Sequence, residues 1–504
     1  MLLGSNLITW YRQLCVLILI TATAAQTQMS CTYKGRGSLT SICVNAIPSY
    51  FRTTAYRFDN LDETLRCVNC SLEVIGSYTF DISGNQIKSL DLTDSQITML
   101  KPKSFIGLVF LQNLNLQNNK IVAVPPETFL GITKVEDLNM ESNNISALVA
   151  NGFKELTNLK RLNLKKNSIK TISSGSFNGL GAVEILDLSF NSIETISDAF
   201  GGLSNVRLIN LEQNKIGQID PLDMKELTVL FTLSLAKNNL KVIPNNTFLE
   251  LPRLEQLNLS SNPIEILENS AFRGLDSLEE LDLSSCLIDV IQKGLLSALH
   301  RLRLLDLSYN RLTVFRTGGF SGLPELRKLN LSHNKIDEYE KTGLFPLHSL
   351  HNLDLSFNNL TDLDYKLLVE HLPSLSHIGL EGNPWPCYLK KEMEELFKND
   401  NLIFNLGPEA DNPNIKCVTM KPVVVDEDTE VATVVVTVKT PVYVSTSNGH
   451  EYVLYVFMVL SIIFMAFLFY TQYRNRQELG SIIGRSNISE TRLINSDLEE
   501  RDVY

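Results

Sequence analysis

The sequence predicts an α/β solenoid: a horseshoe of stacked turns with disulfide-stapled ends, followed by one transmembrane helix. Three observations predict it. An eleven-residue pattern, seen in LEQLNLSSNPI from Leu254 to Ile264, recurs throughout the middle of the chain. Cysteines gather where that recurrence begins and where it stops. Beyond them, Val453 to Tyr470 is apolar and carries no charge.

In general form the pattern is L-x-x-L-x-L-x-x-N-x-I/L. Its Asn position falls at Cys70, Ser95, Asn119, Asn143, Asn167, Asn191, Asn214, Asn238, Asn262, Cys286, Asn310, Asn334, Asn358 and Asn383. Successive steps are 23 to 25 residues, so fourteen turns occupy residues 65–383 without an insertion. This is the signature of leucine-rich repeats, and the chain resembles their extracellular members from residue 65 to 417. Each turn supplies a short strand at L-x-L and a return path with further apolar residues, such as Ile145, Phe153 and Leu156. One turn cannot bury that face alone, so neighbours stack and share a ribbon-like core. The Asn amide donates and accepts at once, which suits it to pair backbone groups that the turns would otherwise bury unsatisfied.

Residues 1–25 read as a signal peptide: Arg12, an apolar run from Leu14 to Ile20, and Ala22-Thr23-Ala24 as a small-residue cleavage site. Cys15 leaves with it. A cysteine cap at residues 26–64 precedes the repeats and a second cap at 384–420 follows them. An open ribbon end exposes core, and disulfides cover such ends in secreted chains. Cys387 pairs most simply with Cys417, whereas Cys31, Cys43, Cys67 and Cys70 allow three pairings. Cys286 sits at a ladder position and reads as a buried thiol. The segment NPWPCYLKKEMEELF after the last repeat resembles the C-terminal cap of extracellular leucine-rich-repeat proteins, although it has two cysteines where the commonest form has four.

Residues 421–451, rich in Val and Thr, read equally as a hairpin or as an extended stalk. The helix at 452–471 reaches the lower length limit for a membrane span, and Arg474 and Arg476 place the residues after it in the cytoplasm. The expectation is a type I single-pass protein of the plasma membrane with its repeats outside and a tail at 472–504. Asp502-Val503-Tyr504 and Glu478 to Ile483 loosely match short sorting or docking signals, but a disordered tail is the simpler reading.

No catalytic constellation, phosphate loop, metal motif or cofactor motif is present, so the chain reads as a binding protein rather than an enzyme. A net charge of −11 and a pI near 5.3 argue against nucleic acid as partner. His333, His351 and His377 fall on the concave side of the repeat template, where isolated surface histidines are the simplest reading.

Alternate positions around the strand leucines point away from the core and line the concave face. Most are polar, among them Asn115, Asn139, Asn163, Asp187 and Asn210. Repeats six to eight depart from that. Ile185, Phe190, Leu208 and Phe231 take outward positions, with Lys160, Arg161, Lys165, Lys166 and Arg207 on or beside them. An apolar cluster with a basic rim is the composition of a protein interface. Curvature or long neighbouring side chains covering the cluster is the competing reading. Glycosylation sequons begin at Asn69, Asn144, Asn245, Asn258, Asn330 and Asn359. Asn258 and Asn330 are outward strand positions, and glycans there would obstruct the C-terminal half of the arc.

The chain resembles leucine-rich-repeat adhesion and receptor proteins generally and, more loosely, insect leucine-rich immune proteins, without the coiled coil and cysteine pair of their secreted members. The resemblance implies a cell-surface glycoprotein that binds an extracellular protein ligand or co-receptor, with a homodimer among the arrangements it allows. The second implied role is innate-immune recognition of a microbial glycan or lipid.

Overall fold

The computed structural model describes residues 30–33, 40–52, 63–81 and 84–407. The expected signal peptide, stalk, membrane helix, cytoplasmic tail and Cys417 lie outside the described residues. Among the described residues, no helix is long and apolar enough to cross a membrane.

Three-residue strands begin one residue before the middle leucine of each motif, as at Arg161–Asn163, Ile185–Asp187, Leu208–Asn210 and Thr232–Ser234. They are short because the buried Asn ends each one with a turn. They pair in parallel in chain order, buried aliphatic centre against buried aliphatic centre: Leu162 with Leu186, Leu186 with Ile209, and Ile209 with Leu233. The result is a 17-stranded sheet along one side of a solenoid. Its first strand, Ser30–Tyr33, is antiparallel to Thr40–Val44, and the sheet continues in parallel from there.

The Asn ladder forms as the sequence implies. Asn238 is 5% exposed. Its Oδ1 accepts the Ile216 N–H at 3.0 Å, and its Nδ2 donates to the Leu211 and Leu235 carbonyls, each at 3.0 Å. Each such amide ties its own turn to the one before. At Cys286 the thiol stands in, reaching the Leu259 and Ser284 carbonyls at 3.6 Å.

The return paths stack a second column. Phe80, Phe105, Phe129 and Phe153 are fully or almost fully buried, with successive ring centroids 5.8 to 5.9 Å apart. Phe177, Phe200, Phe248, Phe272 and Phe320 continue the buried position, with Met224 and Leu296 filling the two turns between them. Each ring removed from water contributes roughly 1.5–3 kcal/mol. Ile145, Phe153 and Leu156 are buried on this side, as their spacing predicts.

Disulfides join Cys31 to Cys43, directly opposed in the antiparallel pair, and Cys67 to Cys70. That selects one of the three N-terminal pairings. Cys387 is also disulfide-bonded, to a partner outside the described residues. At the other end the helix Cys387–Asn399 turns Leu389, Met393 and Phe397 inward at spacings of four, and the strand Ile403–Asn405 pairs with His377–Gly379. Trp385 Nε1 donates to the Leu380 carbonyl at 2.7 Å, fixing the approach to that helix.

Candidate functional site

The outer face of the sheet is built from two rows of side chains, the first and third residues of each strand. The third row is mostly Asn and Asp. Sequence reading takes those residues as available to a ligand, but the structure gives them a prior task. Oδ1 of Asn115, Asn139, Asn163, Asp187 and Asn210 each accepts the backbone N–H two residues on, at 2.9 to 3.1 Å. Without that bond the turn after the strand would leave an amide unpaired. The polar third row is therefore partly scaffold.

In the first row, Arg161 pairs with Ile185, Ile185 with Leu208, and Leu208 with Thr232. Ile185 is 39% exposed and Leu208 is half-buried, so the two form a contiguous apolar spot on adjacent strands. Phe190 and Phe231 do not join it. Phe231 immediately precedes the strand Thr232–Ser234, while Phe190 lies three residues beyond Ile185–Asp187, so they occupy opposite rims of the sheet. Phe190 is in the left-handed region at φ 57°, because the three-residue strand has ended and the chain is already turning. In that conformation its N–H meets the Glu212 carbonyl of the next turn at 2.8 Å.

The expected basic rim is largely neutralised from within. Arg161 makes a two-pronged ion pair with Asp137, which raises its pKa, and Lys160 meets Glu136 at 2.8 Å, which raises its ammonium pKa. Lys166 pairs with Glu141 at 3.0 Å. Lys165 lies over the Phe190 ring at 5.2 Å, and Arg207 over the Phe231 ring at 5.9 Å. Both aromatic candidates are thus capped by the chain's own cations.

The residue before each ladder Asn is left-handed in turn after turn, and this column holds aromatic residues that the repeat template does not separate from the sheet. Tyr309, His333 and Phe357 take φ of 55°, 54° and 53°. Tyr309 stacks on His333 with centroids 4.1 Å apart, and His333 stacks on Phe357 at 4.3 Å, with planes within 10° of parallel. Tyr309 is 56% exposed and Phe357 44%. Their recurrence at intervals of 24 residues was the available signal. His333 accordingly lies in this stack at the turn, whereas His377 is an exposed sheet position.

Of the sequon asparagines, Asn69, Asn144, Asn245 and Asn359 are exposed. Asn258 and Asn330 lie half-buried in the third row. Their Oδ1 atoms accept from both the N–H and the hydroxyl of Ser260 and Ser332, their own sequon serines.

Comparison with known proteins agrees with this architecture. No curated protein matches the sequence. Among solved structures, a leucine-rich-repeat protein of Leptospira interrogans superposes with a TM-score of 0.54 at 24% identity, covering 69% of this chain and 90% of that one. An internalin from Listeria monocytogenes gives 0.50 at 19% identity, covering 64% and 88%. Toll, in the glycosylated Toll–Spatzle complex from Drosophila, gives 0.54 at 22% identity, covering 64% of this chain and 48% of that one. Matches to the leucine rich repeat family run from residue 85 to 336 without a gap, half of the sequence. With the ladder, the parallel register and that match in hand, the chain belongs to the leucine-rich repeat family.

Proposed function

We propose that this chain is a type I single-pass glycoprotein of the plasma membrane that recognises another protein through the outer face of its sheet, as an adhesion molecule or co-receptor. The observation carrying this reading is the Ile185–Leu208 pair. It is an apolar spot formed by two directly paired residues on adjacent strands, beside a third row made mostly of amides and carboxylates. Apolar side chains ringed by polar ones exclude water when a partner seats, which is where binding energy concentrates. The Toll–Spatzle complex is a neighbouring fold in which a protein partner is named. The signal-like start, the charge-free run and the sequons support the cell-surface part of the reading. On this reading the chain carries no catalytic step and needs no cofactor.

The experiment displays the full chain on cells and screens protein and microbial-polymer ligands. Protein capture that falls at least tenfold with Ile185→Ser plus Leu208→Ser, at unchanged surface level, is the expected result. Capture of a microbial glycan or lipid instead overturns adhesion in favour of innate-immune recognition. An unchanged protein affinity removes the sheet spot as the site. Protease on intact cells should remove the repeats and spare an epitope at Tyr504, and loss of that epitope without permeabilisation overturns the membrane topology.

A further inference from the structure

The Tyr309–His333–Phe357 stack has no role in the ladder or the core, yet its three rings are stacked on one another and two of them are exposed. His333 covers one face of the Tyr309 ring, and the neighbour on the other side in this column is Ser285, too small to cover the second face. Phe190 stands in the same column and shows what such a ring attracts. Lys165, in the preceding turn, extends its ammonium over the ring. The residue equivalent to Lys165 beside Tyr309 is Ser284. Among the described residues, no cation lies over Tyr309.

The electrostatic surroundings also differ from those of Phe190. Three residues before Tyr309, Asp306 ends its strand paired with Asp282 of the adjacent strand, with Glu280 in the first row. With Gln256, Asn258 and Leu304 they line a shallow depression of about 320 Å³. Among the described residues, none of the three carboxylates has an ion-pair partner. Asp282 accepts the Ser284 N–H, Asp306 accepts the Ser308 N–H and the Asn330 amide, and Glu280 accepts the Gln256 amide. Nearby Arg303 is committed to Glu279 at 2.7 Å and Glu325 at 3.4 Å. Arg311 and Lys335 stand one residue past the buried Asn310 and Asn334, beyond the turn, and Lys328 lies two strands on from Glu280.

An open aromatic face beside unpaired carboxylates matches a side chain with an apolar stem and a cationic head. We propose that Tyr309, together with Asp282 and Asp306, receives a lysine or arginine side chain of a protein partner, so that the partner presents a basic segment to the C-terminal half of the sheet. The inference rests on the protein-binding reading above but places this contact about four turns away from Ile185 and Leu208. The stack with His333 and Phe357 holds the Tyr309 ring in place before the partner arrives, which lowers the ordering cost of binding.

The test uses the full chain and a fluorescent lysine–glycine repeat peptide, with a glutamine–glycine peptide and a neutral oligosaccharide as comparisons. The variant is Tyr309→Ser, since Ser261 and Ser285 already occupy this column with φ of 56° and 55°. Tyr388→Ser is the control, removing an aromatic of 42% exposure from a helix that carries Lys390 and Lys391. The expected result is that the lysine peptide binds, that Tyr309→Ser weakens it about fivefold or more, and that Tyr388→Ser leaves it unchanged. Asp282→Ser with Asp306→Ser, the residue that Ser234 already supplies at this strand position, should weaken it further and flatten its salt dependence. Equal binding by wild type and Tyr309→Ser overturns the proposal, as does an oligosaccharide that binds in place of the lysine peptide. A native protein partner that loses affinity with the Ile185 and Leu208 substitutions but not with Tyr309→Ser removes this contact and leaves the broader reading standing.

Discussion

The ring of Phe357 lies so close to Gly382 that a Cβ on that glycine would stand 2.4 Å from its Cδ1. Gly382 is the next member of the left-handed column, at φ 70°, and its bare backbone is the floor on which the exposed stack rests. Gly382→Ala should therefore push Phe357 aside as well as strain its own backbone. The expected loss is about 1–3 kcal/mol of stability, with changed ring resonances for His333. A melting curve and spectrum identical to wild type would show that the stack does not depend on this floor.

Asn238→Ala removes one amide that serves four backbone groups. It leaves the Ile216 N–H and the Leu211, Leu235 and Ala236 carbonyls short of a partner. Burial makes each loss costly, and about 1–3 kcal/mol is expected. Denaturant titration measures it, and the Ile185–Leu208 spot should keep its ligand affinity.

Cys286 fills a ladder slot with a poorer donor and acceptor. Burial pushes its thiol up to about 11 from 9.0. It should therefore resist thiol reagents in the native state at pH 8 and react only on unfolding. Because the folded pKa is the higher one, the thiol's contribution to stability is complete below about pH 9 and is lost as pH rises toward 11. Cys286→Asn restores the ladder amide and should raise stability by about 1 kcal/mol. Destabilisation by this substitution would mean that the slot is shaped for sulfur.

Glycan occupancy should divide along the same structural line. Asn69, Asn144, Asn245 and Asn359 are exposed and should carry sugar. A sugar on Asn330 would have to break the 3.1 Å bond from its Nδ2 to Asp306, and Asn258 is engaged by the hydroxyl of Ser260. Peptide mass spectrometry should find these two bare. Sugar on Asn258 would cover the depression that Asp282 and Asp306 line.

The register of the repeats was legible because period and chemistry coincide: a leucine at each strand centre and an amide at each turn, such as Leu162 followed by Asn167. The placement of individual outward residues was less so. Reading strict alternation through Phe190 treats it as part of a strand that has in fact ended at Asp187, since the template marks which residues are apolar but not where the backbone turns left-handed. Charge was misread for a related reason. Lys160, Arg161 and Lys166 look like a basic rim in one dimension, but their carboxylate partners stand 24 or 25 residues earlier and become neighbours only when turns stack. The short helix Tyr365–His371, capped by Asp364, had no counterpart in the repeat pattern at all.

The ladder bonds have a mechanical consequence. Each amide reaches only the adjoining turn, the link from Asn238 to Leu211 spanning 27 residues. Tension applied along the chain from one end would then load a single junction at a time rather than the whole sheet. Extension should proceed in steps of one repeat, each releasing roughly 80 Å of contour length at about 3.5 Å per residue. A ribbon built this way yields under load by lengthening gradually, turn after turn, and the turns still in place keep their geometry while it does.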